Sequence, residues 1–458
     1  MDANLKPYPE YKESGLPWAS RVPAHWSLIP NRAVLRKRKV LVGGNHKNYQ
    51  LLSLTKGGVI VRDISTGKGK FSSDMGTSQE VRKGDFVFCL FDVPETPRTV
   101  GLSMHDGMIT GAYTVFESRK LTMEGVRYIE HFYLAMDDQK LLSPLYSGLR
   151  HTIPPPRFLG TKTPLPPTDE QAAIVRFLDY ENARIERAIR SKKKLITLLN
   201  EQKQAIIHRA VTRGLDPNVK LKPSGIPWIG DIPEHWNTPL NQCIFRENIR
   251  PHNGLPELQL SLSQRDGLID TSKMQERSLQ TSNFNNWKVT LPGDLVLNRF
   301  KAHLGVFFCA TLRGIVSFHY GVFAPRVKLN TKYFELLFHT APYRAIYAGR
   351  SNGMTVGLQN LSNQNFYNVR AIVPPFMEQV EIVAFLETAT ADLNKSIANT
   401  EREIFLLREY RTRLVADVVT GKLDVREAAK DLPGEVEALE NIADIEDTED
   451  LTNGEEEK

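Results

Sequence analysis

Cysteine is scarce in this chain and never paired in sequence. Cys89, Cys243 and Cys309 stand far apart among 458 residues, with no Cys-x-x-Cys spacing, which excludes a disulfide framework and a zinc ribbon and leaves three packed thiols. No apolar run approaches the roughly 20 residues of a membrane span, and the polar start Met1-Asp2-Ala3-Asn4 is unlike a signal peptide. The expectation is a soluble, cytoplasmic protein with no membrane partner. Nucleotide fingerprints are missing too: Gly67-Lys68-Gly69-Lys70 lacks the spacing of a phosphate loop and reads as a basic hairpin tip. No His-Glu-x-x-His occurs, and Glu201-Gln202-Lys203 falls in a helical stretch with no acidic partner, so no metal-dependent nuclease centre is expected.

Charge is uneven. The net charge is +6, yet the segment from Arg426 to Lys458 holds 13 acidic and 3 basic residues, so residues 1–425 carry +16. A basic body suits a polyanionic partner, while the acidic, aromatic-free tail 426–458 reads as solvated and largely disordered.

What the chain does have is a duplication. Ser14-Gly15-Leu16-Pro17-Trp18 through Pro23-Ala24-His25-Trp26 returns as Ser224-Gly225-Ile226-Pro227-Trp228 through Pro233-Glu234-His235-Trp236, an offset of 210 residues. Lys83-Gly84-Asp85-Phe86-Val87-Phe88 answers Pro292-Gly293-Asp294-Leu295-Val296-Leu297, and Pro166-Pro167-Thr168-Asp169-Glu170-Gln171 answers Pro374-Pro375-Phe376-Met377-Glu378-Gln379. Each unit closes on Val211-Thr212-Arg213-Gly214 or Val419-Thr420-Gly421. So long a period, in a chain about twice that length, means one unit written twice rather than a solenoid. Between the landmarks the halves look unrelated, which points to a common scaffold presenting two different surfaces.

Proline and glycine are absent from Thr168 to Arg213, and Leu178, Ile185, Lys192, Leu199 and Ile206 share a sevenfold series with a second through Ile174, Glu181, Ala188, Leu195 and Gln202. The same pattern runs from Glu378 to about Val419. Two long helices follow, 168–213 and 378–420, each about 60 Å at 1.5 Å per residue and too long to lie inside one small globule. The simplest arrangement packs them on each other. The double prolines stop an extended segment, and Asp169, Glu170 and Glu378 suit the positive end of a helix. Short strand-like runs such as Phe86–Phe91, Leu295–Leu297 and Val322–Pro325 precede each helix.

One tetrapeptide invites a catalytic reading. Val373-Pro374-Pro375-Phe376 resembles the Asn/Asp-Pro-Pro-Tyr/Phe signature of amino-methyltransferases, but valine cannot accept a hydrogen bond from an amine, and the first unit has Leu165 there. A helix-start role is expected. His25 and His235, each between a proline and a tryptophan, are expected to fix an aromatic turn.

With both copies of the Ser-Gly-x-Pro-Trp…Pro-x-His-Trp frame and of the Pro-Pro-x-x-Glu-Gln start in order, the chain resembles the specificity subunits of type I restriction-modification systems over residues 8–426. The resemblance implies a mixed α/β fold: an N-terminal conserved segment (1–26), a first target-recognition domain (27–165), a central long helix (166–215), a repeat of the N-terminal segment (216–236), a second recognition domain (237–373), a C-terminal long helix (374–425) and the tail. It implies that the helices form an antiparallel coiled coil with pseudo-twofold symmetry. It further implies a chain without catalysis or cofactor of its own. Double-stranded DNA, two methyltransferase subunits and restriction/translocase subunits would be its partners, and S-adenosylmethionine, ATP and magnesium would belong to those subunits. The competing readings are a stand-alone DNA methyltransferase or nuclease, and a coiled-coil scaffold that binds no nucleic acid.

Base edges are read by Arg, Lys, Asn and Gln on loops, and phosphates by other cations. On that chemistry the candidates are Arg62, Lys68, Lys70 and Arg98 in the first domain. In the second they are Arg265, Arg299, Lys301, Arg350 and Asn352, with Arg299 just past the Gly293-Asp294 strand.

Overall fold

The computed structural model describes residues 5–62, 75–254, 257–264, 266–273, 284, 286–352 and 360–432. The fold is mixed α/β, with two long helices at Thr168–Arg213 and Phe376–Val419. The first has the expected bounds. The second begins two residues early, since Pro375 leaves the next residue free to take up helical geometry at once.

Contacts divide the chain into two units, Met1–Lys192 with Arg402–Lys458, and Lys193–Glu401. Both cuts fall inside the long helices. Each unit therefore holds one sheet domain, the first half of the helix that follows it and the last half of the other helix.

In the first unit the central sheet has four antiparallel strands in the order Leu35–Arg38, Thr114–Ser118, Phe86–Phe88 and Val100–Leu102. Phe86, Phe88 and Phe116 are buried against the helix Met123–Asp138, whose Thr122 side chain caps Gly125 N at 3.2 Å. In the second unit the order is Phe245–Glu247, Tyr320–Pro325, Leu295–Asn298 and Phe307–Cys309, again all antiparallel. The helices Thr331–Phe338 and Ala341–Gly349 complete its core. The two sheets thus share one strand order, although little of the intervening sequence repeats.

The duplicated landmarks meet within each unit. Trp26 is fully buried and donates from Nε1 to Glu170 Oε1 at 2.8 Å, while His25 Nε2 bonds Glu170 Oε2 at 2.7 Å. In the second unit Trp236, also fully buried, donates to Glu378 Oε2 at 3.0 Å and His235 Nε2 bonds the same oxygen at 2.8 Å. The other side of each indole meets a glycine just past the end of the second long-helix segment in that unit. A Cβ on Gly421 would lie 3.1 Å from Trp26, and one on Gly214 3.3 Å from Trp236. Both glycines take the left-handed conformation that ends a helix, with φ of 76° and 77°. Tyr128 and Tyr333 donate from their hydroxyls to the carbonyls of Val419 (3.0 Å) and Val211 (2.9 Å), tying the same helix ends down.

Three expectations change. Glu170 was matched to the helix dipole, but it is buried to 2% exposure and is the acceptor for Trp26, His25 and Tyr8 together. The sevenfold seam is also not continuous: Ile174, Leu178 and Ile185 are buried, whereas Leu195 is exposed. In the first unit the helix segments beyond Ile185 are joined by polar pairs, Glu186 with Arg411 at 2.9 Å and Lys192 with Glu403. The register of those pairs makes the two segments antiparallel there. The tail also starts later than charge suggested. Arg426–Lys430 is a short helix with Ala429 buried in the first core and Arg426 over the Tyr8 ring, because Val425 and Ala429 supply an apolar face. Residues 433–458 lie outside the described residues.

Gly421→Ala is expected to destabilise more than Gly84→Ala. Both positions have positive φ, worth about 1–2 kcal/mol for an L-residue, but a Cβ at Gly421 meets Pro23 at 2.3 Å whereas none at Gly84 has a neighbour within 4 Å. Overpacking adds roughly 1–3 kcal/mol. Denaturant midpoints of the two variants compare them directly.

Candidate nucleic-acid interface

Each sheet is anchored at one end by a Gly-Asp turn. Asp85 accepts from Arg82 N at 2.8 Å and from Arg38 at 2.7 Å; Asp294 accepts from Leu291 N at 2.8 Å and from Arg250. Gly84 and Gly293 take φ of 88° and 92° to make the turn. Burial pushes the Asp85 carboxyl up in spite of Arg38. These arginines belong to the scaffold, and the repeated Lys/Pro-Gly-Asp was the signal that could have located their partners.

The opposite end of the second sheet gathers several loops. The turn Arg299–Leu304 follows the strand Leu295–Asn298, and Ser317–His319 leads into the neighbouring strand, whose Tyr320 pairs with Asn298. The segment around Leu361 joins them through Leu361 N donating to Arg299 O at 3.0 Å. Arg350 and Asn352 lie on the same side, with Asn365 donating to Arg350 O at 2.7 Å and to Asn352 Oδ1 at 3.5 Å. Asn352 and Asn360 exchange main-chain hydrogen bonds.

Four of the five second-domain candidates therefore come together, but not in one role. Arg299 is largely buried and donates to Glu247 Oε1 at 2.7 Å; Lys288 reaches the same oxygen at 3.2 Å and Asn363 the other. Arg299 is thus held in the turn by Glu247 in the DNA-free chain. Lys301, Arg350 and Asn352 are exposed, and neither cation is paired with a described residue. Arg265 lies outside the described residues.

In the first domain Arg98 is likewise committed: it donates to Asp138 at 2.7 Å and to Lys56 O at 3.2 Å, beside Asp137 at 3.6 Å. Arg62 is half-buried at the end of the hairpin Leu52–Thr55/Gly58–Val61, its N–H donating to Leu51 O at 2.8 Å. Lys68 and Lys70 lie outside the described residues. Nothing local in the sequence distinguishes a committed arginine from a free one, since Glu247 and Asp138 are 52 and 40 residues from their partners.

Among the described residues no three His, Cys, Asp or Glu side chains are placed to share a metal ion, and no helix is long and apolar enough to cross a membrane. Burial and Glu335 push the Cys309 thiol up to about 11, away from nucleophilic use.

This fold and its twice-built frame define a duplicated protein that carries two unlike sheet domains on paired helix segments. Residues 270–403 match the family profile of the type I restriction modification DNA specificity domain. The chain is 24% identical over 449 residues to the type I restriction enzyme EcoKI specificity subunit of Escherichia coli K12, covering 87% of this chain and 91% of that one. A chain from a structural study of complex assembly and conformational transition of the type I R-M system superposes with a TM-score of 0.59 at 15% identity, over 88% of this chain and 99% of that one. The HsdS subunit from Thermoanaerobacter tengcongensis is also similar, at 16% identity and a TM-score of 0.41, over 88% and 98%. The likeness to type I restriction-modification specificity subunits thus extends along most of the chain, and the DNA specificity domain profile is matched over residues 270–403.

Arg299→Ala is expected to lower stability by about 2 kcal/mol, because it leaves Glu247 short of a partner in a partly buried site. Arg350→Ala is expected to leave stability within about 0.5 kcal/mol and to reduce the salt slope of DNA binding by about 1. Thermal unfolding and salt titrations separate the two roles.

Proposed function

We propose that this chain is the DNA-specificity subunit of a type I restriction-modification complex and does no chemistry itself. Each sheet domain reads one half of a bipartite double-stranded DNA target, the residues from about 27 to 165 one half and those from about 237 to 373 the other. The long helices lie antiparallel as a coiled coil with pseudo-twofold symmetry, a spacer whose length suits half-sites about one DNA turn, roughly 34 Å, apart. Two methyltransferase subunits dock on these helices and modify adenine in each half. Restriction/translocase subunits join them to make an ATP-dependent endonuclease acting in the cytoplasm. S-adenosylmethionine, ATP and magnesium are held by those subunits.

The observation that carries this reading is the equivalent lock in both units, a buried tryptophan between the first-turn glutamate of one helix and the glycine ending the other. One scaffold built twice, with different loops at the sheet ends, suits a reader of two different sequences. Phe405, Leu406 and Tyr410 support the docking role: they are exposed on the second long helix within the first unit, an apolar stripe outside the core with Arg402 over Phe405 at 5.1 Å.

The test is to map methylated adenines in the host genome with and without this gene, the partner subunits being present. Loss of one bipartite methylated motif is expected. An unchanged methylation pattern from active partner subunits would contradict the proposal, and methylation by the purified chain alone would favour a stand-alone methyltransferase.

A further inference from the structure

Three rings stand outside the second core at the open end of its sheet. Phe300 and Phe318 are 39% and 51% exposed, and neither joins the buried clusters that hold their neighbours Ala302 and Tyr320. His319 lies between them, its ring centroid 5.4 Å from Phe300 and 3.8 Å from Phe318. Single exposed apolar residues are ordinary, but adjoining exposed rings form a contiguous patch of the kind that marks an interaction site.

The base of this surface is rigid. Asn298 caps the turn by accepting from Phe300 N at 3.1 Å, Gly305 closes it at φ 76°, and Arg299 is held by Glu247. Phe300 is therefore presented from a turn fixed at both ends, which lowers the ordering cost of any contact it makes. The next residue, Lys301, is exposed, and Arg350 and Asn352 lie on the same side of the sheet.

We infer that Phe300 and Phe318, braced by His319, contact the bases of the half-site read by this domain, while Lys301 and Arg350 hold the adjoining phosphates. Charge complementarity selects DNA as the occupant: exposed Lys301 directly follows Phe300 in the chain, Arg350 is exposed on the same side of the sheet, and residues 1–425 carry +16. Apolar side chains read the thymine methyl in the major groove, or wedge between base steps in the minor groove, and aromatic faces stack on unpaired bases. All three contacts need apolar side chains placed outside the core, as these rings are. The inference rests on the proposed DNA-reading function and names the side chains that make it selective.

The experiment uses the full chain assembled with its methyltransferase subunits. Affinities of F300A, F318A and the double variant are measured for DNA carrying the mapped methylation motif and for random duplex DNA, alongside K301A. The ring variants are expected to lose at least tenfold in affinity for the motif with less than twofold change on random DNA; K301A is expected to weaken both alike. Equal loss on both DNAs, no loss on either, or intact DNA affinity with failed subunit assembly would each overturn the inference, the last pointing to a protein partner for the rings. Failure of the unsubstituted complex to prefer the motif would instead overturn the underlying function, so the two failures are distinguishable.

Discussion

Everything in this molecule hangs on two buried indoles. Trp26 and Trp236 each donate to a first-turn glutamate and lie against a helix-terminating glycine, so each joins the start of one long helix to the end of the other. A buried indole N–H needs an acceptor, and leaving it without one costs about 1–3 kcal/mol. The glutamates supply the acceptor only if the helix starts at the right residue, which is why the double proline and the Glu-Gln pair recur at fixed spacing. Gln171 and Gln379 complete the arrangement by donating back to Pro166 O at 2.7 Å and Pro374 O at 2.9 Å.

The two locks are alike but not equal. Glu170 is sealed in, with Tyr8 donating to it as well, and burial beside that carboxylate raises the Tyr8 hydroxyl far above the usual phenol range. Glu378 keeps about a quarter of its side chain exposed. The extra closure in the first unit comes from residues around Tyr8 and Val425, whose counterparts in the chain's middle, around Asn218, are mostly exposed. The first lock is therefore the more costly to break.

The frame was legible in the sequence because it is made of unusual residues repeated at nearly constant offset. Helix bounds followed from prolines, glycines and an uninterrupted stretch, which are local signals. The pairings that join the frame were not legible, since Trp26 and Glu170 are 144 residues apart and each looks locally satisfied. The same limit explains the arginines: Arg299 and Arg350 look alike on paper, and only the fold shows that Glu247 claims the first. Nothing in the sequence singles out Phe300 and Phe318, whose exposure follows from the fold at the loop ends.

On the proposed function the two unlike sheet domains act as separable readers on one frame, and exchanging one of them tests that claim most directly. In a chain whose residues 27–165 are replaced by a second copy of residues 237–373, methylation mapping should find a motif with one original half intact and the other replaced by its inverted repeat. A motif changed in both halves, or unchanged in both, would contradict the account.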